Sequence, residues 1–211
     1  MLPDGVQYRT FDGEKRLATR GQPVYGEPTD GAWRLWDANR SKLASMLEAG
    51  LETGLTAGST VLYLGAATGT TVSHVADFAG PTYAVEFAPR SMRELLSVAE
   101  TPGREHLFPL LKDAREPETY AHVVESDVDV LVQDVATRGQ ADVAVRNRQF
   151  LAADGRLVLA IKARSEDVTA PPERVFETVL EDLRDAYTIE ARTRLDPAHE
   201  AHLGVVATPT R

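Results

Sequence analysis

One stretch decides the fold of this chain: Val61-Leu62-Tyr63-Leu64-Gly65-Ala66-Ala67-Thr68-Gly69-Thr70-Thr71. Its four leading apolar residues predict a short buried strand, the small residues after them predict a tight turn, and the threonines begin a helix. Small residues allow a backbone to approach a ligand closely, and the first turn of a helix offers unpaired N–H groups. The stretch therefore predicts the first strand, turn and helix of a ligand-binding α/β sheet.

From residue 40 onward, strands and helices alternate, which predicts a doubly wound α/β fold built on a parallel sheet. Helical spacing and capping signals predict helices at residues 40–51, 71–78, 91–100, 119–124, 140–151 and 172–186, the third opened by the capping box Ser91-x-x-Glu94. Apolar runs predict strands at residues 61–64, 83–86, 107–111, 128–133 and 157–161. The last two predicted strands, 187–193 and 203–207, have no helix between them and are expected to be antiparallel.

Residues 1–36 differ from the rest, because short β-prone pieces there are broken repeatedly by glycine and proline. Apolar and polar residues alternate at 22–25 and at 32–36, which predicts a few antiparallel strands in a small N-terminal β module. The module has too few apolar residues to fold alone. We therefore expect it to pack on a larger domain over residues 37–211.

The composition argues against several classes of protein. Hydrophobic residues make up 43% and charged residues 26% of the 211 residues, which is typical of a soluble globular protein, and no apolar run is long enough to span a bilayer. The polar N-terminus does not resemble a secretory signal, so we expect a cytoplasmic protein. Because the chain has no cysteine and no metal-ligand spacing of His, Asp and Glu, we expect no disulfide, no thiol nucleophile and no metal site.

The net charge is −9, whereas a protein that binds nucleic acid is usually basic. Only four of the 23 basic residues are lysines, at positions 15, 42, 112 and 162. An acidic, lysine-poor surface is typical of a very salty cytoplasm, where attraction to phosphate is screened, although a GC-rich genome also favours arginine. A position that keeps lysine is then notable, because a buried ammonium can lose its proton and a guanidinium cannot.

Acidic residues follow the strands that come after the turn. Glu86 ends the next strand, 21 residues after Gly65, where an acidic side chain accepts hydrogen bonds from ribose hydroxyls. Asp113-Ala114 and Asp134 follow the third and fourth strands, at the edge where open α/β sheets bind ligands. Ala67 stands where a dinucleotide fold has the glycine that admits a pyrophosphate, which favours S-adenosylmethionine over NAD. Each residue alone has an ordinary structural explanation, so the prediction depends on their order along successive elements.

Seven segments resemble archaeal members of the fibrillarin family, and together they span nearly the whole chain. They are Val24-Tyr25-Gly26-Glu27, Arg40-Ser41-Lys42-Leu43-Ala44, residues 61–75, Tyr83-Ala84-Val85-Glu86-Phe87-Ala88-Pro89-Arg90, Asp113-Ala114-Arg115, Asp134-Val135-Ala136 and Ile161-Lys162-Ala163. The segment 61–75 resembles the family's cofactor motif almost letter for letter. The resemblance implies a class I (Rossmann-like) S-adenosylmethionine methyltransferase sheet with an antiparallel final strand.

The resemblance implies methyl transfer from S-adenosylmethionine to ribose 2′-oxygens of rRNA and tRNA, within pre-rRNA and tRNA processing. Members of the family work inside a box C/D ribonucleoprotein. The implied partners are a Nop5-type scaffold protein, an L7Ae-type kink-binding protein, a box C/D guide RNA and the target rRNA or tRNA, with no membrane. Because the guide and the scaffold deliver the substrate, weak intrinsic affinity for RNA is tolerable, which agrees with the acidic charge.

The resemblance also implies two sets of site residues. The cofactor set carries over to Gly65, Ala66, Thr70, Thr71, Glu86, Phe87, Asp113, Ala114, Asp134, Val135, Ala136 and Thr137. The catalytic set carries over to Lys42, Asp134, Lys162 and His202. The chain departs from the family pattern at Thr137, where glutamine is usual, and over residues 196–202, where the family's tyrosine and charged residues are missing. His199 is close enough to leave open which histidine completes the catalytic set.

The chemistry of the reaction gives each catalytic residue a hypothetical role. A ribose hydroxyl must lose its proton as it attacks the methyl group, so a positioned base helps. Lys162 ends a strand of Leu, Val, Leu, Ala and Ile, and burial beside a second cation, Lys42, would lower its pKa and let it act as the base. Asp134 would orient the amine and the hydroxyl, while Lys42 and His202 would position the ribose and the adjoining phosphate. The ordinary alternative is that both lysines are surface charges paired with acids.

Two other functions remain as alternatives to this reaction. One is a methyltransferase with a different acceptor, although N-methyltransferases commonly carry an Asn/Asp-Pro-Pro-aromatic motif where this chain has Asp134-Val135-Ala136. The other is a non-catalytic scaffold subunit of an RNA–protein complex. The altered segment 196–202 supports the scaffold, whereas the retention of Lys42, Asp134 and Lys162 argues against it.

Overall fold

The computed structural model describes residues 1–125 and 127–210. The helices over these residues are α1 (Lys42–Glu48), α2 (Thr70–Ala76), α3 (Pro89–Ala99), α4 (Gln140–Asn147), α5 (Ala163–Glu166) and α6 (Pro172–Leu183). The strands are β1 (Val6–Phe11), β2 (Glu14–Arg20), β3 (Thr29–Asp30), β4 (Trp33–Leu35), β5 (Val61–Leu64), β6 (Thr82–Glu86), β7 (Leu107–Leu111), β8 (Val128–Gln133), β9 (Leu151–Lys162), β10 (Tyr187–Arg194) and β11 (His202–Pro209).

The larger sheet has seven strands in the order β10-β11-β9-β8-β5-β6-β7. Strands β5 to β9 pair in parallel, while β11 pairs antiparallel with both β9 and β10. The predicted α/β sheet with an antiparallel final strand is therefore confirmed. The strand order reverses at β5, between β6 and β8, and open α/β sheets bind ligands at such a switch point, outside the carboxyl ends of the strands.

The central strand β5 is buried on both faces, which explains its continuous apolar sequence. Leu62 and Leu64 pack in one apolar cluster with residues of α4 and α6. Val61 and Tyr63 point to the other face and pack in a second cluster with residues of α1, α2 and α3. Helices therefore cover both faces of the sheet, and its carboxyl edge is left for ligands.

The first four strands form a separate antiparallel sheet in the order β1-β2-β4-β3. Leu17 and Trp36 of this region are fully buried in the same apolar cluster as Val61 of the larger sheet. Arg34 donates a 2.7 Å hydrogen bond to Asp77, which directly follows α2. The N-terminal strands thus pack on the larger part of the chain through both apolar and charged contacts, as the sequence predicts.

The predicted start of α3 was wrong by two residues. The helix begins at Pro89 rather than at the capping box, and Ser91 lies inside it. Proline suits the first helical position because its missing N–H would have no partner there. The amide of Ala88, at the cap position, donates to the carboxylate of Glu86 at 2.7 Å instead.

Other predicted elements also differ from the structure, and three of them differ most clearly. The helix predicted at 119–124 is a single 3₁₀ turn, Pro117–Thr119, because the chain turns around the buried Tyr120. The helix predicted at 140–151 ends at Asn147, and a second 3₁₀ turn leads into β9, whose first residue Leu151 pairs with β8. Residues 22–25 form no strand, since the amides of Val24 and Tyr25 donate to the carboxylate of Glu27.

Candidate active site

The turn after β5 holds the backbone close to the end of β8. Gly65 has a φ of +82°, and a Cβ atom built there would lie 2.7 Å from the main-chain oxygen of Asp134. The amides of Gly65 and Ala66 both donate to the main-chain oxygen of Val85, at 2.9 and 3.1 Å, and the amide of Asp134 donates to that of Leu64. The turn and the ends of β6 and β8 therefore form one tightly connected floor.

A cavity of about 330 Å³ opens on this floor at the carboxyl ends of the parallel strands. The volume lies at the lower end of the range for natural ligand sites. Most of the predicted cofactor residues line it: Gly65, Glu86, Phe87, Asp113, Ala114, Asp134, Val135, Ala136 and Thr137. The other three predicted cofactor residues, Ala66, Thr70 and Thr71, do not line it. Of the predicted catalytic residues, Asp134 and Lys162 line the cavity, whereas Lys42 and His202 do not.

The sequence reasoning missed some lining residues, namely Ala67, Val85, Lys112, Arg115 and Val143. Ala67 lies inside the turn that decided the fold, and Arg115 lies two residues after Asp113, so proximity to predicted site residues could have found both. Val143 lies on α4, and no local pattern indicates that one face of this helix reaches the cavity.

A groove between α4 and α6 encloses a larger volume, about 840 Å³. Its lining consists mainly of helix residues such as Val145, Val175 and Val179, and it includes several acidic residues. The carboxylates and the lysine that follow the parallel strands lie in the smaller cavity. Chemistry rather than volume therefore identifies the candidate site.

Glu86 is positioned by the backbone on both sides of its carboxylate. One oxygen accepts a 2.9 Å hydrogen bond from the amide of Ala67, and the other accepts a 2.7 Å bond from the amide of Ala88. The residue is only 7% exposed. Because an ionised carboxylate can accept about four hydrogen bonds, each oxygen keeps a lone pair for a ligand donor such as a ribose hydroxyl.

Asp113 and Phe87 lie at the outer wall of the cavity. The Arg115 side chain donates to both carboxylate oxygens of Asp113, at 3.0 and 3.1 Å from Nε and at 2.5 Å from Nη2. These hydrogen bonds are the largest cause that lowers the pKa of Asp113, which keeps the group an ionised acceptor. Phe87 is 70% exposed and offers its ring to a flat ligand group.

Asp134 lies between two lysine amines at the end of β8. The Nζ atom of Lys162 is 2.9 Å from Asp134 Oδ1 and donates a 2.9 Å hydrogen bond to the main-chain oxygen of the same residue. The Nζ atom of Lys42 is 3.2 Å from Oδ1 and 3.3 Å from Oδ2. The three side chains are between 14% and 19% exposed. The alternative that both lysines are solvated surface charges paired with acids therefore does not hold.

Burial is the largest influence on the Lys162 amine, and it lowers the pKa of that group. Asp134 acts in the opposite direction, Lys42 lowers the pKa again by repulsion, and the net direction is downward from the usual value of lysine. A lysine whose charged form is disfavoured loses its proton more readily than an ordinary lysine, and only the neutral amine can accept a proton. The direction of this pKa shift is the one that a general base requires.

Two histidines lie near this lysine, and the strand register distinguishes them. His202 is the first residue of β11 and pairs directly with Lys162 of β9. The Nδ1 atom of His202 is 2.8 Å from the main-chain oxygen of Glu200. The Nε2 atom of His199 is instead engaged with the main-chain oxygen of Ala38, at 2.7 Å. Burial is the largest cause that lowers the pKa of both imidazoles, so both favour the neutral form.

Thr71, one of the two predicted threonines, connects the cofactor turn to the start of α1, next to Lys42. Thr70 and Thr71 begin α2, and the hydroxyl of Thr71 donates a 3.2 Å hydrogen bond to that of Ser41. Ser41 caps α1 by accepting from the amide of Ala44, so it sets the start of the helix whose first residue is Lys42. The sequence reasoning did not single out Ser41, although a serine directly before a predicted helix is the usual signal of such a cap.

Within residues 1–125 and 127–210, no three His, Asp or Glu side chains come together in a group that could hold a metal ion. The helices described there are also too short or too polar to cross a membrane.

The strand order, with β11 inserted antiparallel beside β9, is the arrangement of class I methyltransferases, and the adenosine-type site at the carboxyl edge agrees with it. Fold and site together define a Rossmann-like S-adenosylmethionine-dependent methyltransferase. A family model described as Fibrillarin matches residues 4–211. The chain belongs to the fibrillarin family.

Several proteins named as fibrillarins or fibrillarin-like are similar to this chain over nearly its full length. A protein of Halorubrum lacusprofundi, named fibrillarin-like rRNA/tRNA 2′-O-methyltransferase, is 71% identical over 208 residues, which cover 99% of this chain and 97% of the relative. A solved structure of Aeropyrum pernix fibrillarin with natively bound S-adenosyl-L-methionine has a TM-score of 0.85 and 44% identity, covering 97% of this chain and 94% of that one. A chain in a solved fibrillarin/Nop5p complex has a TM-score of 0.89 and 36% identity, covering 99% of both chains.

Proposed function

We propose that this chain transfers the methyl group of S-adenosylmethionine to ribose 2′-oxygens of rRNA and tRNA. The observation that carries the proposal is the Asp134 carboxylate held between the amines of Lys42 and Lys162 at the edge of the cavity. The printed name of the Halorubrum relative, an rRNA/tRNA 2′-O-methyltransferase, supports the same reaction.

The cavity residues fit S-adenosylmethionine. Gly65 allows the backbone after β5 to lie close to Asp134 at the cavity, and Glu86 keeps lone pairs for ribose hydroxyls. Asp113 offers an ionised acceptor for the adenine amino group, and Phe87 offers a ring for the adenine plane. When bound, the cofactor supplies an electrophilic methyl group, which leaves sulfur as the ribose oxygen bonds to it. The bound cofactor in the Aeropyrum pernix structure supports this assignment.

Lys162 and Asp134 activate the substrate hydroxyl. The neutral amine of Lys162 accepts the 2′-hydroxyl proton as that oxygen attacks, and the resulting ammonium is stabilised by Asp134 at 2.9 Å. Asp134 Oδ1 is buried and ion-paired, but it makes no well-aligned hydrogen bond with the described residues. With Oδ1 buried, the carboxylate oxygen left to orient the hydroxyl is Oδ2, which accepts a 3.3 Å hydrogen bond from Lys42 and keeps a further lone pair.

Lys42 and His202 position the rest of the nucleotide. Lys42 carries a positive charge beside Asp134, where it can attract the phosphate next to the reacting ribose. His202 fits the set better than His199 because its strand register places it directly beside Lys162, although one ring nitrogen of each histidine contacts a main-chain oxygen. We therefore assign the fourth catalytic position to His202.

The proposed enzyme acts as a subunit of a box C/D ribonucleoprotein. A similar chain is part of a solved fibrillarin/Nop5p complex, which supports a Nop5-type scaffold as the first partner. An L7Ae-type protein, a guide RNA and the target rRNA or tRNA complete the proposed assembly, which works in the cytoplasm. The net charge of −9 agrees with delivery of the RNA by these partners, since the chain itself offers phosphate no net attraction.

The test is methyl transfer from labelled S-adenosylmethionine to a target RNA at high salt. The chain is assayed alone and then with the guide RNA, the scaffold protein and the kink-binding protein. Label on the 2′-oxygen that the guide selects, only in the full mixture, is the expected result. Absence of label there, with the cofactor still bound, would overturn the proposed reaction, and absence of cofactor binding would overturn the methyltransferase itself.

A further inference from the structure

Gln140, the first residue of α4, is fully buried and hydrogen-bonds the backbone of the proposed catalytic lysine. Its Oε1 accepts from the amide of Lys162 at 2.8 Å, and its Nε2 donates to the main-chain oxygen of Lys162 at 3.1 Å. The parallel pairing of β8 with β9 ends at Gln133 and Leu159, so the last residues of β9 extend beyond β8. The Gln140 amide takes the place of the missing strand and pairs with Lys162 on that side.

Gln140 is itself held at every polar group. Its main-chain amide donates to a carboxylate oxygen of Glu166 at 2.5 Å, and its main-chain oxygen accepts from the Gln133 side chain at 2.7 Å. The second carboxylate oxygen of Glu166 accepts from the amide of Gly139 at 2.9 Å. Glu166 ends α5, the short helix that directly follows Lys162, so the contacts close a ring around the end of β9.

Asn147, the last residue of α4, makes the corresponding contacts at the other end of the helix. It is fully buried, and its Nδ2 donates to the main-chain oxygens of Ala114 and Val143 at 2.8 and 2.9 Å. Its Oδ1 accepts from the Tyr120 hydroxyl at 2.5 Å. Ala114 lines the cavity beside Asp113, where the adenine end of the cofactor is proposed to bind.

We propose that Gln140 and Asn147 are positioning residues, Gln140 for the base Lys162 and Asn147 for the adenine wall of the cavity at residues 113–114. The two amides are seven residues apart, so α4 spaces the two parts of the site by about 10 Å at 1.5 Å per residue. Each amide donates and accepts at the same time, which neither a carboxylate nor an apolar side chain can do. The assignment of these roles to catalysis and cofactor binding rests on the proposed function.

The test compares Gln140→Leu with Asn147→Leu in two separate measurements. Gln140→Leu should lower kcat by about 100-fold, because a displaced base misaligns the attacking oxygen, and leave the Kd for S-adenosylmethionine unchanged. Asn147→Leu should raise that Kd by about 10-fold and leave kcat at saturating cofactor nearly unchanged. A general structural role would instead move both quantities together in both variants, and that result would overturn the proposal.

The matched control is Tyr187→Phe. The Tyr187 hydroxyl is buried and donates a 2.9 Å hydrogen bond to the main-chain oxygen of Ala144 in the middle of α4, away from both ends. Its loss should lower Tm and change neither kcat nor Kd. If this variant lowers kcat as much as Gln140→Leu does, loosening of the helix explains the effect and the positioning role is wrong.

Two milder variants keep the test decisive if a leucine variant does not fold. Gln140→Glu keeps an acceptor for the amide of Lys162 and loses the donor, and Asn147→Asp keeps the acceptor for Tyr120 and loses the donor to Ala114. We expect each to show a smaller effect on the same quantity as its leucine counterpart. An effect of Gln140→Glu on cofactor Kd alone, or of Asn147→Asp on kcat alone, would contradict the assignment.

A readout that needs no turnover separates this inference from the proposed function. The chain has four lysines, so the amine of Lys162 can be followed by NMR titration of isotope-labelled lysine. Asp134, Lys42, Glu86 and His202 face this amine and are unchanged in the variants. Gln140→Leu should let the amine move toward solvent and raise the pKa of Lys162, whereas Asn147→Leu should not. Equal titration in wild type and Gln140→Leu would sink the positioning role even if the wild type methylates RNA.

Discussion

Two clusters in this molecule pair cationic side chains with carboxylates, and they differ in their cations and in their surroundings. At the junction with the N-terminal sheet, Arg34 and Arg104 pair with Glu27 and Asp77, and these side chains are no more than 2% exposed. At the carboxyl edge of the larger sheet, Asp134 pairs with two lysines in a partly open cavity. The first cluster is sealed, whereas the second keeps room for a ligand.

The choice of cation explains the difference further. A guanidinium forms several directed hydrogen bonds and keeps its proton, so it suits a permanent buried connection. An ammonium can lose its proton when it is buried, so it suits a site that moves protons. In a chain with only four lysines, two of them lie in the open cluster and none in the sealed one. The buried arginine cluster therefore serves stability, whereas the lysine cluster beside the cavity serves chemistry.

The largest expected effect is at Lys162, the proposed base, where the difference between an ammonium and a guanidinium can be tested directly. Lys162→Arg keeps the positive charge and removes the ability to give up a proton, so methyl transfer should fall by about 10²- to 10⁴-fold. Cofactor binding should persist, measured by calorimetry beside the labelled-methyl assay in the full assembly. The matched control is Lys15→Arg on the exposed face of β2, which should transfer at the wild-type rate. Wild-type turnover by Lys162→Arg would disprove the role of Lys162 as the general base.

The sealed cluster should show the opposite behaviour. Arg34→Met leaves Glu27 and Asp77 buried with less compensation, so the free energy of unfolding should fall by about 3–5 kcal/mol while folded molecules keep their transfer rate. Denaturant unfolding at fixed salt measures the first quantity. Arg9→Met, which removes an exposed pair with Asp30, is the control and should cost less than about 1 kcal/mol. A loss of transfer rate in folded Arg34→Met would contradict the conclusion that the Arg34 cluster serves stability and not catalysis.

The same experiment bears on how the chain is divided. We propose that residues 1–36 form a β module and residues 37–211 the methyltransferase domain, with Arg34 and its partners as the charged part of their junction. If Arg34→Met unfolds in two steps by circular dichroism, the module separates first. A single transition indicates that the two parts unfold as one cooperative unit.

A smaller effect distinguishes the two histidines. His202→Ala should lower methyl transfer by about 10-fold or more, because the ring lies next to Lys162 in the strand register. His199→Ala should mainly loosen the contact with Ala38 and lower Tm, with a weaker effect on transfer. His122→Ala, at an exposed position, serves as the control. The reverse order of activities would assign the fourth catalytic position to His199.

The smallest expected effect concerns pH. Transfer should rise with pH as Lys162 loses its proton, and Lys42 shifts this rise to lower pH because its charge lowers the pKa of Lys162. Lys42→Met should therefore move the ascending limb of the pH–rate profile to higher pH, with the largest relative loss of rate on the acidic side. Lys15→Met should leave the limb in place. A shift of the ascending limb toward lower pH in Lys42→Met would contradict the proposed electrostatic coupling between the amines of Lys42 and Lys162.

Much of the fold could be predicted because its signals are local. The stretch 61–71 contains its own strand, turn and helix start, and Glu86 and Asp113 follow strands that are apolar by themselves. The errors occurred where another contact, local or distant, overrode the predicted pattern. Ser91-x-x-Glu94 has the pattern of a capping box, yet the helix starts earlier, at Pro89, because Glu86 accepts the amide of Ala88 at the cap position. Residues 150–151 continue an apolar helical spacing, yet Leu151 pairs with β8.

Most of the elements, the acidic residues at the ends of the strands and the family resemblance follow from the sequence alone, because periodicity, turn chemistry and motif spacing depend on neighbouring residues. Only the tertiary structure decided which distant residues meet. Lys42 reaches Asp134 across 92 positions of the chain. His202 lies beside Lys162 because of the antiparallel register of β11, and Gln140 reaches the same lysine because β9 extends beyond β8. Strand order and register depend on how the whole core packs, and no local pattern encodes them.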